Sequence, residues 1–267
     1  MSAARFAGQR VLVTGSSGYF GRELAQAFAQ EGAALILLDR DAPSAALLAA
    51  LQAASAPAAE PPRVLQADLA QVEQLPALID ALADDALPTV LVNNAGIFPF
   101  ADILEAPLEL CRTIFEVNVL APFVLARSLA RRWIDAGIAG RIVNVSSAAA
   151  EVARSNGALY GPSKAALEQL TRILAVELAP QGIRVNVARP GLANDPLNAQ
   201  IPPDHLARLS AALPLGRGIA PGEFARAVLF LCSEESSYMT GAVLNVDGGG
   251  GIIAAQGLLT QPADGYS

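Results

Sequence analysis

Short, continuous apolar runs alternate with segments of helical period along most of the chain. Arg10–Thr14, Ala34–Asp39, Val64–Ala67, Thr89–Val92, Arg141–Val145, Ile183–Ala188 and Ala242–Val246 read as strands. Between them, Tyr19–Glu31, Pro43–Ser55, Gln71–Ala83, Pro107–Ala136 (with a break near Pro122), Ala158–Ala179 and Pro221–Cys232 read as helices. The strands lack the apolar–polar alternation of a half-exposed sheet, so both of their faces are expected to be covered. Repeated strand–helix alternation predicts an α/β, Rossmann-type doubly wound parallel sheet of about seven strands with helices on both faces. Pro190, Pro196, Pro202, Pro203 and Pro214 mark a loop-rich stretch before the last helix. Ser55–Pro62 is too short to separate two cores, so residues 1–267 are expected to form one domain. The tail from Gly248 opens with four glycines and reads as a surface segment or an oligomer contact.

Composition narrows the class of function. With 53% hydrophobic and 16% charged residues, the chain is expected to be globular and not disordered. No apolar run approaches the roughly 18 residues of a membrane span. The first ten residues lack the apolar core of a secretory signal, so a cytoplasmic protein is expected. A formal net charge of −7 opposes binding to nucleic acid, which calls for a basic surface. His205 is the single histidine, and Cys111 and Cys232 have no metal or redox spacing, so no metal site is expected. Both cysteines read as small buried apolar residues, His205 as a surface residue, and Trp133 as packing at the end of the long helix.

Three features carry chemistry. Thr14-Gly15-Ser16-Ser17-Gly18-Tyr19-Phe20-Gly21 follows the first strand and opens a helix. Glycines there let the backbone approach a pyrophosphate, and the helix N-terminus offers it N–H groups and a positive dipole end. A purely structural turn is the alternative. Asp39 ends the second strand, eighteen residues past Gly21. A carboxylate there can accept from both adenosine ribose hydroxyls and repels a 2′-phosphate, favouring NAD over NADP. Arg40 beside it leaves room for NADP, and a strand-end cap is the structural alternative. The third feature is Lys164, the one lysine among 18 basic residues, four positions after Tyr160. On a helix this places both side chains on one face. A phenol with a pKa near 10 is a poor base at neutral pH, and an adjacent ammonium stabilises its phenolate. A surface pair is the alternative.

With these residues in order, the sequence resembles the short-chain dehydrogenase/reductase family in its single-domain form, from Arg10 to Gly249. The ordered set is the glycine turn, Asp68-Leu69, Asn93-Asn94-Ala95-Gly96, Asn118, Asn144-Val145-Ser146-Ser147, Tyr160 with Lys164, Pro190-Gly191 and Asn245-Val246-Asp247-Gly248-Gly249. The resemblance implies that Ser147, thirteen residues before Tyr160, holds the substrate oxygen and that Tyr160 exchanges a proton with it. It implies that Lys164 lowers the tyrosine pKa and binds the nicotinamide ribose, and that Asn118 holds a water in the proton relay. Gly15, Ser17, Gly18, Tyr19, Phe20 and Gly21 would line the phosphates. Asp39, Asp68 and Leu69 would face the adenosine, and Asn94, Ala95 and Gly96 would run along the cofactor. Pro190, Gly191 and Leu192 would lie beside the nicotinamide, and a substrate loop would span about 192–216. Hydride would pass directly between the nicotinamide and a carbinol carbon, without a metal.

Two departures stand out. The middle glycine sits at Gly18, where short members carry it one place later, so the Gly15/Gly18/Gly21 spacing is similar to that of the extended branch. Asp195, after Asn194, stands where a threonine is often found, four residues past Gly191. The implied activity is interconversion of a secondary alcohol, small and hydroxylated or cyclic, with its ketone. A 3-oxoacyl-carrier-protein reductase using NADPH and a non-enzymatic dinucleotide sensor are the alternatives. Phe98, Ala149, Glu151 and Arg154 are candidate substrate contacts. Glu151 and Arg154 resemble the same stretch of gluconate 5-dehydrogenase-like members, where Arg154 could take a carboxylate. An exposed ion pair beside an apolar lining of Ile97, Phe98, Pro99 and Phe100 is the alternative. A homotetramer is expected, from pairing of the helices within Pro107–Ala136 and Ala158–Ala179.

Overall fold

A computed structural model describes residues 4–55, 60–99, 101–153, 155–193 and 203–253. Its centre is a seven-stranded sheet of β1 (Arg10–Thr14), β2 (Ala34–Asp39), β3 (Arg63–Gln66), β4 (Val90–Asn93), β5 (Arg141–Val145), β6 (Arg184–Pro190) and β7 (Val243–Val246). The strand order is β3-β2-β1-β4-β5-β6-β7 and every pairing is parallel. The order reverses between β1 and β4, the switch point where doubly wound sheets bind ligands at their carboxyl ends.

Alternate strand residues feed two cores. Val11 and Val13 of β1 pack with Leu24 and Phe28 of α1 (Tyr19–Gln30) and with Phe224 and Val228 near the C-terminus. Leu12 points the other way, into a core that holds Leu75 and Ile79 of α3 (Leu75–Asp80). That core also takes Leu125, Leu129 and Trp133 of α5 (Ala121–Ala136) and Leu174 of α6 (Tyr160–Leu178). The preceding helices α2 and α4 are Ala45–Ala54 and Leu108–Phe115. Trp133 is fully buried and its indole N–H donates to the Pro88 carbonyl at 2.6 Å. Gly140 leaves room for that ring, because a Cβ there would lie 2.1 Å from it.

The expected long helix is three pieces. α4 runs into a wide π turn at Glu116–Leu120, and α5 follows with Pro122 in its first turn, where the missing N–H costs nothing. The Gln71–Ala83 helix is a 3-10 turn at Val72–Gln74 followed by the short α3. Within the proline-rich stretch, α7 (Pro203–Ala212) is helical, a helix the sequence pattern did not reveal. α8 (Glu223–Cys232) precedes β7, and α9 (Gly250–Ile253) occupies part of the glycine-rich tail. Cys232 is buried, and burial pushes its thiol up to about 12. Cys111 is only half-buried on the amphipathic α4, which corrects the expectation of a buried residue. No described helix is long and apolar enough to cross a membrane.

Candidate active site

The loop from β1 to α1 is held from below by Thr14. Its hydroxyl accepts from the N–H groups of Asn94 (3.1 Å) and Ala95 (3.0 Å). The Asn94 amide donates back to the carbonyls of Thr14 (3.0 Å) and Gly15 (3.1 Å). The two carboxyl ends at the switch point are thereby locked together. Gly21 lets α1 press on the turn, since a Cβ there would lie 2.0 Å from the Gly15 carbonyl oxygen. Among the described residues, no side chain caps the N-terminus of α1 and the buried hydroxyls of Ser16 and Ser17 have no partner. These features fit a phosphate-bearing dinucleotide: uncapped helix dipole, orphan hydroxyls and a backbone cradle. A groove of about 360 Å³ continues from Gly15, Ser17, Gly18, Tyr19 and Phe20 past Asp39, Asp68, Leu69, Asn94, Ala95 and Gly96 to Phe98.

At the groove's far wall, Asp39 accepts the Ser17 N–H on Oδ2 and the Arg40 N–H on Oδ1, both at 2.8 Å. Its carboxylate is thus fixed against the glycine turn. Asp68 accepts the Ala70 N–H at 2.9 Å, which shapes the turn that presents Leu69.

At the other end, α6 begins at Tyr160 and carries Ser163 and Lys164 on its buried side. The Lys164 ammonium donates to the Val145 carbonyl at 2.9 Å. It lies 5.9 Å from the Tyr160 ring centroid, and the Phe98 ring lies 6.0 Å from the same ring. Burial pushes the Lys164 ammonium down to about 8, opposed by the negative charge of Glu168. Asn118 sits in the π turn. Its Oδ1 accepts the Ile97 N–H, and its amide donates to the Ile97 carbonyl and the Ser163 hydroxyl, at 2.9–3.0 Å. That side chain is a strut joining three segments, and both of its amide hydrogens are used. A Cβ on Gly96 would meet Lys164 Nζ at 3.2 Å and Asn118 Oδ1 at 3.3 Å, so glycine keeps the space between them open. Ser147 follows β5, and its hydroxyl accepts the Ala149 N–H at 3.2 Å. Gly191 packs on Asp247, where a Cβ would lie 2.5 Å from its Cα. Asp247 in turn accepts the N–H groups of Gly249 and Gly251.

Of the candidate substrate contacts, Phe98 lies in the groove near Tyr160. Ala149 and Glu151 instead line a separate cavity of about 640 Å³ beside it, with Val152, Asn156 and Gly161, whose walls include neither Ser147 nor Tyr160. Glu151 bonds both oxygens to Arg189, at 2.7 and 3.0 Å. Among the described residues, the partner of Glu151 is thus Arg189 of β6, and the pair of Glu151 with Arg154 considered from the sequence lies outside the described residues. Arg154, Phe100, Asn194 and Asp195 lie outside the described residues, as does much of the expected substrate loop. Leu192 accepts the Ile219 N–H and lines a cavity near Pro214 and Gly248. The sequence reading missed Thr14, Ser163, Glu168 and Arg189. Their one signal was a polar residue inside an otherwise apolar strand or helix stripe.

Comparison with known proteins agrees with this architecture. A family model described as Enoyl-(Acyl carrier protein) reductase matches residues 16–250. The chain is 37% identical to the cis-4-hydroxycyclohexanecarboxylate dehydrogenase of Sinomonas cyclohexanicum over 246 residues, 91% of this chain and 97% of that one. It is 38% identical to the galactitol 2-dehydrogenase (L-tagatose-forming) of Cereibacter sphaeroides over 249 residues, 92% and 96% of the two chains. A gluconate 5-dehydrogenase from Burkholderia cenocepacia, solved with NADP and tartrate, superposes with a TM-score of 0.84 at 31% identity, covering 92% of this chain and 96% of that one. The chain belongs to the short-chain dehydrogenase/reductase family, whose members bind a nicotinamide dinucleotide and act on alcohols and their ketones.

Proposed function

We propose that this protein is an NAD-dependent dehydrogenase of a small secondary alcohol, cyclic or polyhydroxylated, with the whole chain acting as one catalytic unit. The observation that carries the reading is the stripe of Tyr160 and Lys164 on α6, set at the end of a groove that begins at the glycine turn. Bound in that groove, the oxidised cofactor supplies the hydride acceptor. Ser147 donates to the substrate oxygen and holds it against Tyr160. Tyr160 takes the hydroxyl proton. Lys164, buried and charged at neutral pH, stabilises the Tyr160 phenolate that accepts this proton and becomes the neutral phenol. Asn118 holds the Ile97 segment and α6 in place, and the space that Gly96 leaves beside the Lys164 ammonium is where the water expected of it would fit. Phe98 supplies an apolar wall that suits a ring or carbon chain. Relatives named for a hydroxycyclohexanecarboxylate and for galactitol support the substrate class.

The preference for NAD rests on Asp39, whose fixed carboxylate repels a 2′-phosphate. NAD should give the higher kcat/KM. Asp39→Ser should narrow or reverse the ratio, while lowering efficiency with NAD because the Ser17 bond is lost. Steady-state kinetics with both cofactors check this, and equal use by the unaltered protein would reassign the choice to Arg40.

Assembly into a homo-oligomer, most simply a tetramer, is supported by apolar side chains left exposed on the helices expected to pair. Leu108 on α4, Ile134 on α5, and Ile173 and Val176 on α6 all face solvent in the single chain. Light scattering at micromolar concentration should give a multiple of 27.5 kDa. A monomer mass would reject the assembly.

A further inference from the structure

The functional face of α6 continues one turn past Lys164, to Glu168. Glu168 is buried, and so is Arg189 on β6, with 5% and 2% of their side chains exposed. Arg189 grips Glu168 with a fork: Nη2 lies 2.7 Å from Oε2 and 2.9 Å from Oε1, and Nε 3.0 Å from Oε1. The Ser146 hydroxyl donates to the same Oε1 at 2.7 Å. The other side of the guanidinium holds Glu151. Each member adjoins a part of the proposed site. Ser146 precedes Ser147, Arg189 precedes Pro190-Gly191, and Glu168 shares the stripe of Tyr160 and Lys164.

A buried carboxylate one turn from a buried ammonium would, if unpartnered, capture it as an ion pair. We propose that Arg189 is a positioning residue that occupies Glu168, so that the charge of Lys164 stays directed at Tyr160. Burial opposes the charge of Arg189, but its hydrogen bonds to the carboxylates of Glu168 and Glu151 outweigh it and hold the guanidinium above its ordinary pKa. Other charges on the elements around α6 are engaged elsewhere or have no resolved effect on Lys164. Arg184 bonds the carbonyls of Leu231, Ser233 and Met239, and Arg141 pairs with Glu234. Arg112 pairs with Glu109 on α4. Glu116 is half-buried in the π turn, Asp102 lines the outer cavity, and Arg127, Arg131, Arg132 and Asp135 lie on α5. The charge acting on Lys164 is that of Glu168.

The inference rests on the proposed roles of Tyr160 and Lys164, and its test separates the two. The pH dependence of kcat/KM for alcohol oxidation is measured for the unaltered protein, Glu168→Gln, Arg189→Met and the double variant, with Tyr160→Phe alongside. Glu168→Gln leaves Arg189 charged, which favours the phenolate, so the apparent pKa of the rising limb should fall by about one pH unit. Arg189→Met frees Glu168 to draw Lys164 away. The pKa should then rise by about as much, and kcat at neutral pH should drop by about tenfold with less change in KM. The double variant removes both charges and should return the pKa close to its original value. Should Arg189→Met not fold, Glu168→Gln and the double variant still decide, because a buried pair replaced by neutral side chains is tolerated. Equal shifts in Glu168→Gln and the double variant, or an unshifted Glu168→Gln, would make the network a purely structural one. If Tyr160→Phe keeps normal turnover, the tyrosine reading falls and this inference with it. An inactive Tyr160→Phe beside an unshifted Glu168→Gln removes this inference alone.

Discussion

Replacing Tyr160 by phenylalanine should lower turnover at least about 100-fold, the scale of a lost general acid–base group. The ring, and with it the contact to Phe98, is kept. Lys164 keeps its bond to the Val145 carbonyl, and Ser163 keeps its place beside Asn118. Folding and dinucleotide binding should therefore survive, and the loss should fall on kcat. Calorimetric binding of the cofactor beside steady-state rates separates the two. Weakened binding with preserved turnover of the bound complex would instead make Tyr160 part of the cofactor pocket.

Gly21→Ala should have the second-largest effect. The added methyl would lie 2.0 Å from the Gly15 carbonyl oxygen and 2.9 Å from Gly15 C and Ser16 Cα. These are backbone atoms, so no rotamer change relieves the clash and the turn must open. Overpacking of this kind costs about 1–3 kcal/mol. Because the displaced atoms are those that cradle the phosphates, dinucleotide affinity should fall about tenfold or more, at about 1.4 kcal/mol per decade. The melting temperature should fall as well. Unchanged affinity beside a lowered melting temperature would mean that the turn serves the fold and the dinucleotide binds elsewhere.

The strands were legible because each is a continuous apolar run closed by a turn, and observed bounds lie within about two residues of the expected ones. The glycine turn, Asp39 and the pair of Tyr160 and Lys164 were legible because their spacing carries their chemistry. The network around Arg189 was not. Glu168 and Arg189 stand 21 residues apart, and only the pairing of β5 with β6 beneath α6 brings Ser146, Glu168 and Arg189 together. Glu151 reads together with its neighbour Arg154 because local spacing is all a sequence offers, whereas its partner among the described residues, Arg189, lies 38 residues on. The π turn holding Asn118 leaves no periodic mark. Pro122 signalled a break, but a proline in the first turn of a helix is tolerated, so the break precedes it.

The central claim, that Tyr160 and Lys164 serve alcohol oxidation at the end of a dinucleotide groove, is tested most directly by the absorbance of reduced nicotinamide. Purified protein is mixed with NAD or NADP and a panel of cyclic alcohols, polyols and hydroxy acids. The account predicts turnover of at least one secondary alcohol, faster with NAD, and no comparable rate from Tyr160→Phe. Tight dinucleotide binding without turnover of any alcohol or, in reverse, any ketone would contradict it and make the protein a dinucleotide sensor.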